Sequence, residues 1–280
     1  MLEQKEVITS RQNPTLKRIC SLAEKKGRRA EGMFRFDGIK LFGESLEKQL
    51  DVRYVLLDES APDAVKGAVE DALISGSLSL SKVVVCSQDA FFKVSEEKSP
   101  EGIITVSAFL PQIHRTLSES EAQDYCACAD ERLLIAESLR DPGNLGTVIR
   151  SCNALGIDRL VISDDCADIY SPKVIRAAMG GLFCLRIDIL PTKCLADAIL
   201  SLRKGGRAVY AAALRKDALK IGAIELKRGD CFVIGNEGHG LSEDVVAACD
   251  ACAMIPMTEG SESLNAAAAA AICIWESVKE

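Results

Sequence analysis

Cys231, Phe232, Val233 and Ile234 make an apolar run that empties into Gly235, Asn236, Glu237, Gly238, His239, Gly240 and Leu241. A second run, Cys252, Ala253, Met254 and Ile255, empties into Pro256, Met257 and a polar loop that closes with Ser263, Leu264 and Asn265. Each run reads as a buried strand, and each loop opens a helix. Glycines at a strand end let backbone approach a ligand closely, and the free N–H groups of the following helix complement polar or anionic groups. In open α/β sheets, ligands sit beyond the carboxyl ends of the strands. The pattern therefore predicts a ligand cradle built largely from backbone. Imidazole acid–base chemistry has little material, because the chain holds two histidines, His114 and His239. No metal site is expected, since Cys249 and Cys252 form a CxxC with no second pair and Cys126 and Cys128 are a weaker signal still.

The elements that must position these loops can be read outward from them. The second loop feeds a helix with alanines at 266–271, which predicts backbone lying unusually close to backbone. Before the cradle, residues 132–136 read as a short buried strand, 137–146 as a loop, and 147–155 as a helix with Val148, Cys152 and Leu155 at helical spacing. That assignment puts Arg150 near the start of the helix. Residues 158–163 form the next strand, and a helix at 172–179 carries Lys173 and Arg176 on one side. Strands at 183–189, 207–213, 231–234 and 252–255 complete a mostly parallel sheet with helices on both faces.

Residues 1–110 alternate differently. Asn13 and Pro14 start a helix with an apolar stripe at Leu16, Ile19, Cys20, Leu22 and Ala23. A strand at 33–36, a helix at 38–49, strands at 53–57, 82–86 and 103–106, and a helix at 64–74 describe a small α/β domain. Residues 111–130, with Pro111 and the Ser118 to Glu121 tract, read as a linker. The expected division is 1–110, a linker at 111–130, and a larger domain at 131–280.

Composition bounds the class. The 280 residues include 48% hydrophobic side chains, ample for two cores, and no apolar run of membrane-spanning length. Residues 1–6 lack the apolar stretch of a signal peptide, so a cytoplasmic protein is expected. The 12 cysteines are scattered over strands and helices, as reduced, buried small hydrophobes are. A net charge of −7 disfavours nucleic acid only if it is evenly spread. It is not: residues 1–53 hold twelve Lys and Arg against eight Asp and Glu, a net +4 that leaves −11 for the remainder. Arg11, Lys17, Arg18, Lys25, Lys26, Arg28 and Arg29 face only Glu24 within their stretch. On charge alone this cluster reads as a solvated helix face sooner than as an RNA-binding one.

The two loop motifs, in this order and at this spacing, resemble motifs two and three of the SpoU (TrmH-like) family, within the SPOUT class of RNA ribose 2'-O-methyltransferases. Asn144, Leu145 and Gly146 with Arg150 resemble motif one, so the likeness spans roughly 132–280. Ile169 to Gly181 also resembles the family pattern. The opening from Ile8 to Lys17 is similar to the small substrate-binding domain that precedes many SpoU catalytic domains and itself resembles ribosomal kink-turn-binding proteins. Ala266 and Ala267 stand where the family has Val-Ser after motif three.

The resemblance implies a trefoil-knotted fold, S-adenosylmethionine as cofactor, RNA as substrate and a homodimer formed through the C-terminal domain. Arg150 takes the catalytic arginine's place. A guanidinium stays protonated, so it is read here as an electrostatic group that binds the neighbouring phosphate and stabilises alkoxide character. Asn144 and Asn265 are implied to orient Arg150 or the ribose, Glu237 to steady the site, and Ser263 to hydrogen-bond near the reacting centre. As isolated residues, Asn144 and Ser263 read first as helix caps, and it is their place in three ordered motifs that favours function. The implied cofactor pocket comprises Ala212, Gly235, Asn236, Gly238, Gly240, Leu241, Ile255, Met257, Ser263 and Leu264. Lys173 and Arg176 join the N-terminal basic residues as RNA contacts. Ribosomal RNA is favoured over transfer RNA, because a separate RNA-binding domain suits a folded ribosomal target.

Two other classes remain. A dinucleotide-dependent oxidoreductase would carry GxGxxG after an early strand with an acidic residue about twenty positions on, and the chain has none. A non-catalytic RNA-binding or ribosome-assembly factor on the same scaffold is disfavoured by Asn144, Arg150, Glu237, Ser263 and Asn265 occurring together.

Overall fold

The computed structural model of the chain describes residues 2, 5–236, 238–258 and 263–279. It divides into two units, Met1–Leu110 with Tyr170–Phe183, and Pro111–Ile169 with Cys184–Glu280.

The first unit runs β1 (Val7–Ile8), α1 (Pro14–Ser21), α2 (Lys25–Glu31), β2 (Met33–Asp37), α3 (Ile39–Glu47), β3 (Val52–Asp58), α4 (Asp63–Ile74), β4 (Val83–Cys86), α5 (Gln88–Val94) and β5 (Ile103–Ala108). Its sheet has the order β1-β4-β3-β5-β2, parallel from β1 to β3 and antiparallel from β3 to β2. Strand alternation supplies cores on both faces. Val55 and Leu57 pack with Phe42, Val65 and Val69, while Leu56 between them packs with Leu16, Ile19 and Phe91. α1 starts where Asn13 Oδ1 accepts from Thr15 N at 2.8 Å and Pro14 pre-sets the first turn. α2 can follow so closely because residue 27 is glycine: a Cβ there would stand 2.0 Å from the Ser21 carbonyl oxygen.

Residues 170–183, expected within the larger domain, belong to this first unit. Tyr170 stacks on Phe109 with centroids 4.4 Å apart and lies 4.8 Å from Phe34, and its hydroxyl accepts from Leu110 N at 2.8 Å. Phe183 meets Phe36 at 5.1 Å. The stretch thus buries its aromatics against β2 and its flank.

The second unit runs β6 (His114–Thr116), α6 (Glu119–Gln123), β7 (Leu133–Ala136), α7 (Pro142–Leu155) and β8 (Arg159–Ser163). After the excursion bearing α8 (Pro172–Ala178) it continues with β9 (Arg186–Leu190), α9 (Leu195–Lys204), β10 (Val209–Ala212), β11 (Leu219–Lys220), β12 (Cys231–Ile234), α10 (Glu243–Ala248), β13 (Ala251–Met254) and α11 (Ala266–Val278). The strand order is β11-β13-β10-β12-β7-β8-β9-β6, and each neighbouring pair is parallel. The α/β architecture expected from the apolar runs is therefore present. β7 and β12 are buried along their whole length, as strands covered on both faces are. β13, later in sequence than every other strand, lies between β10 and β11.

Residues 111–130 differ from the expected linker. They supply edge strand β6, and α6 opens on a capping box in which Ser118 and Glu121 bond each other's backbone N–H. Leu117, Ala122 and Tyr125 bury too few positions to make a periodic signal. Three strands at this edge are tied by buried charges. Asp188 of β9 accepts from Arg115 (2.9 and 3.1 Å), Arg159 (2.8 Å) and the Tyr125 hydroxyl (2.8 Å), while Glu131 accepts from Arg159 (2.9 Å) and Arg186 (3.0 Å). Burial pushes the Asp188 carboxyl up, but these bonds and charges outweigh it and hold it below its ordinary value. Among the described residues, no helix is long and apolar enough to cross a membrane.

Candidate active site

Three loops converge at the carboxyl ends of β7, β12 and β13. β7 runs directly into Glu137, whose backbone N–H donates to the Ile234 carbonyl at 2.8 Å. The residue is 5% exposed, and its carboxylate accepts from Ser242 N at 2.8 Å and Ser242 Oγ at 2.6 Å. Ser242 caps α10, so this buried carboxylate fastens the far end of the glycine loop. The next residue, Ser138, has φ +56, and its carbonyl accepts from Asn236 Nδ2 at 2.8 Å. Its strained turn is held by Ser163 Oγ, which accepts from Ser138 N at 2.8 Å, and by Asp165, which accepts from Ser138 Oγ at 2.7 Å. Partial burial pushes the Asp165 carboxyl up, yet bonds from Arg140, Ser163, Ser138 and Thr192 prevail and bring it to about 2.

The glycine loop also closes on itself. Asn236 and Gly240 exchange backbone hydrogen bonds of 3.1 and 2.9 Å, and Asn236 Oδ1 accepts from Gly238 N at 2.8 Å. Two glycines are obligatory for different reasons. Gly240 has φ +69, whereas a Cβ on Gly235 would lie 2.4 Å from the backbone carbon of Gly240.

The result is a cavity of about 560 Å³ whose walls include Ala212 from the end of β10 and Gly235, Asn236, Gly238, Gly240 and Leu241 from the glycine loop. Ile255, Met257, Ser263 and Leu264, from the strand end and loop before α11, complete the ten residues singled out from the sequence. Arg215, His239 and Glu243 also border it, and nothing in the motif spacing pointed to the first and last of these. Its volume falls in the range of small-molecule sites. Among the described residues, no group of three His, Cys, Asp or Glu side chains is placed to hold a metal ion.

Beside the cavity, Asn265 does two things. Its Oδ1 caps α11, accepting from Ala267 N at 2.9 Å and Ala268 N at 3.2 Å, while Nδ2 donates to Asn144 Oδ1 at 2.9 Å. The amides of Asn144 and Asn265 therefore meet each other, and Arg150 stands apart from them. α7 starts at Pro142, five residues earlier than the apolar spacing suggested, because Asp141 caps it by accepting from Asn144 N at 2.8 Å. Arg150 thus sits in the middle of α7, not near its start. It is exposed, lies outside the cavity wall and has no hydrogen-bond or ion-pair partner among the described residues. The caps open in the sequence resolve as Asp141 for α7 and Asn265 for α11; neither Asn144 nor Ser263 fills that position. Glu237 lies outside the described residues.

The sequence model of the SpoU rRNA Methylase family matches residues 131–275. The chain belongs to that family. Ahead of the SpoU region, residues 13–105 match an MRM3-like substrate binding domain. A relative in Bacillus subtilis (strain 168), "23S rRNA (guanosine(2553)-2'-O)-methyltransferase RlmP", is 29% identical over 270 residues, covering 96% of this chain and 97% of that protein. "23S rRNA (guanosine-2'-O-)-methyltransferase RlmB" of Xanthomonas campestris pv. campestris is 26% identical, covering 87% of this chain and 95% of its own length. The solved structure of "AdoMet bound rRNA methyltransferase from Sinorhizobium meliloti" is 25% identical with a TM-score of 0.79, and the match covers 98% of this chain and 97% of that one.

The basic residues read as RNA contacts divide on inspection of this SpoU chain. Lys17, Lys25, Lys26, Arg29 and Lys173 are exposed. Arg11 pairs with Asp89, Arg18 with Glu31 and the Tyr54 hydroxyl, and Arg176 with Glu97 at 2.7 Å, so each of these charges is partly answered within the protein. Arg28 is a correction. It is 3% exposed, and its guanidinium donates to the Leu22 and Ala23 carbonyls at 2.9 and 2.6 Å, which turns it inward and away from any phosphate. Missed altogether were Glu137 and Ser242, which are 105 positions apart; the only signal was a carboxylate directly after a buried strand.

Proposed function

We propose that the chain methylates a ribose 2'-hydroxyl of ribosomal RNA with S-adenosylmethionine, in the cytoplasm and as a homodimer. The observation that carries the reading is the cavity at the ends of β10, β12 and β13, walled by SpoU motifs two and three. Its backbone-rich glycine loop, apolar Leu241, Ile255, Met257 and Leu264, and charged rim suit a nucleoside with an amino-acid tail. When bound there, S-adenosylmethionine supplies an electrophilic methyl group. The protein's part is to hold the hydroxyl oxygen in line and to lower the cost of charge developing on it.

Arg150 remains a cation throughout, so its role is to bind the adjacent phosphate and stabilise alkoxide character. The Asn144–Asn265 bond fixes both amides at the mouths of α7 and α11, where they order the ribose. Arg150 lies outside its own chain's cavity, and α11 exposes Ile272 and Trp275, the latter 58% exposed. Both features favour a second copy packing against α7 and α11. The first unit grips RNA phosphates through Lys17, Lys25, Lys26 and Arg29. The trefoil-knotted path belongs to the same reading and rests on the family membership. Ribosomal RNA is preferred because the relatives that cover the chain are named for 23S rRNA.

The test compares wild type with Arg150→Ala in single-turnover methyl transfer and in equilibrium binding of cofactor and RNA. Turnover falling far more than either affinity supports the assignment. Wild-type transfer by the saturated variant would reduce Arg150 to a phosphate clamp, and absence of S-adenosylmethionine binding by wild type would remove the reading entirely.

A further inference from the structure

Among the described residues that border the cavity, three have ionisable side chains: Arg215, His239 and Glu243. Arg215 follows β10, and Glu243 stands at the first position of α10, on the other side of the glycine loop. Arg215 Nη2 meets Glu243 Oε1 at 2.5 Å, joining the two across the rim. Their side chains are 42% and 80% exposed, and an ion pair this open to water contributes little to folding. Its position therefore asks for another explanation.

The ligand proposed for this cavity has two chemically distinct ends. The adenosine end is uncharged and planar, and it suits the neutral surface of Ala212, Gly235, Leu241, Ile255 and Leu264. The methionine end is a zwitterion, a carboxylate beside an ammonium. Burying either charge without a partner is costly, and a guanidinium is the side chain best matched to a carboxylate fork. Arg215 and Glu243 present one positive and one negative group within reach of each other, which mirrors the zwitterion.

We propose that Arg215 and Glu243 form the subsite for the amino-acid end of the cofactor, Arg215 taking the carboxylate and Glu243 the ammonium. The exchange is electroneutral: the protein's own ion pair is replaced by two pairs with the ligand. Because one partner follows β10 and the other begins α10, a ligand bound to both bridges the two rims of the cavity. This inference rests on the S-adenosylmethionine reading.

Three nucleosides separate the possibilities. S-adenosylmethionine and S-adenosylhomocysteine carry the zwitterion, and 5'-methylthioadenosine lacks it. Calorimetric Kd values are measured for wild type, Arg215→Ala, Arg215→Lys and Glu243→Gln. One lost charge-assisted interaction corresponds to about a 10- to 100-fold weaker Kd. Arg215→Ala is expected to weaken S-adenosylhomocysteine by that factor and to leave 5'-methylthioadenosine within about twofold, with Arg215→Lys between. Glu243→Gln is expected to show the same selectivity. Equal weakening of all three nucleosides would mean that the pair only shapes the loop, and unchanged S-adenosylhomocysteine binding would mean that it does nothing for the ligand. Either outcome overturns the subsite. Failure of the cofactor reading itself looks different, since wild type would then bind none of the three.

Discussion

Gly235→Ala tests the cradle at its tightest point. The added methyl would lie 2.4 Å from the Gly240 carbonyl carbon and 2.6 Å from both the Gly240 oxygen and Leu241 N. All three are backbone atoms, so no side chain can rotate away. Ordinary contact begins near 3.4 Å, and the glycine loop must therefore retreat by about 1 Å. That movement stretches the Asn236–Gly240 bonds, now 3.1 and 2.9 Å, beyond useful length. The loop lies at a strand end and reaches the core only through its last residue, Leu241, so the fold survives with a displaced cradle. Overpacking of this size costs about 1–3 kcal/mol, and a ligand that must draw the loop back loses about 5- to 150-fold in affinity. Calorimetry with S-adenosylhomocysteine measures the loss, and circular dichroism with thermal melting checks that the variant is folded. A folded variant binding within twofold of wild type would refute the claim that the cradle depends on backbone contact at residue 235.

Other substitutions probe the supporting structure. Asp37 is held at about 6, above the ordinary 3.8, mainly because burial disfavours its charge; Arg35 and Arg176 oppose this, and Glu97 and Glu96 add to it. Its raised folded pKa means that stability is lost as pH climbs through roughly 4 to 6, so Asp37→Asn should raise Tm at pH 7.5 by an amount that shrinks toward pH 4; an equal gain at both would count against it. Arg28→Ala should lower Tm while sparing RNA affinity, because its guanidinium serves two buried carbonyls; Lys25→Ala with Lys26→Ala and Arg29→Ala should do the opposite and flatten the salt dependence of RNA binding. Asp188→Ala takes the acceptor from the buried Tyr125 hydroxyl and from Arg115, while Arg159 keeps Glu131, and should cost about 1–3 kcal/mol, read as a melting temperature lower by about 5 °C.

What could be read in the sequence depended on the range of the interaction concerned. Cys231–Ile234 appears as expected because a strand buried on both faces is written as one uninterrupted apolar run. The cradle was legible for a related reason: its walls are glycines and short apolar residues next to strand ends, so spacing along the chain carries it. The start of α7 was misplaced because Gly143 and Gly146 look like loop residues, although Asp141 and Pro142 are a cap and a first-turn proline that mark the true start. Arg28 resembled its basic neighbours, and only its bonds to the Leu22 and Ala23 carbonyls set it apart. Contacts such as Glu137 with Ser242 and Asn144 with Asn265 join residues more than a hundred positions apart, and local pattern has no means of pairing them.

The position of β13 has a consequence for the order in which the protein can come into being. β10 and β11 are neighbours in sequence, yet they cannot close on each other, because the slot between them belongs to a strand made after both. A nascent chain that has completed every earlier strand still has an open seam, and the wall formed by Ile255, Met257 and Leu264 does not yet exist. Filling that seam requires pairing across long sequence separations, the slowest kind of step. The ability to bind a ligand is therefore acquired all at once and late in synthesis, and a chain stalled before residue 251 would be well advanced in folding and wholly unable to load its cofactor.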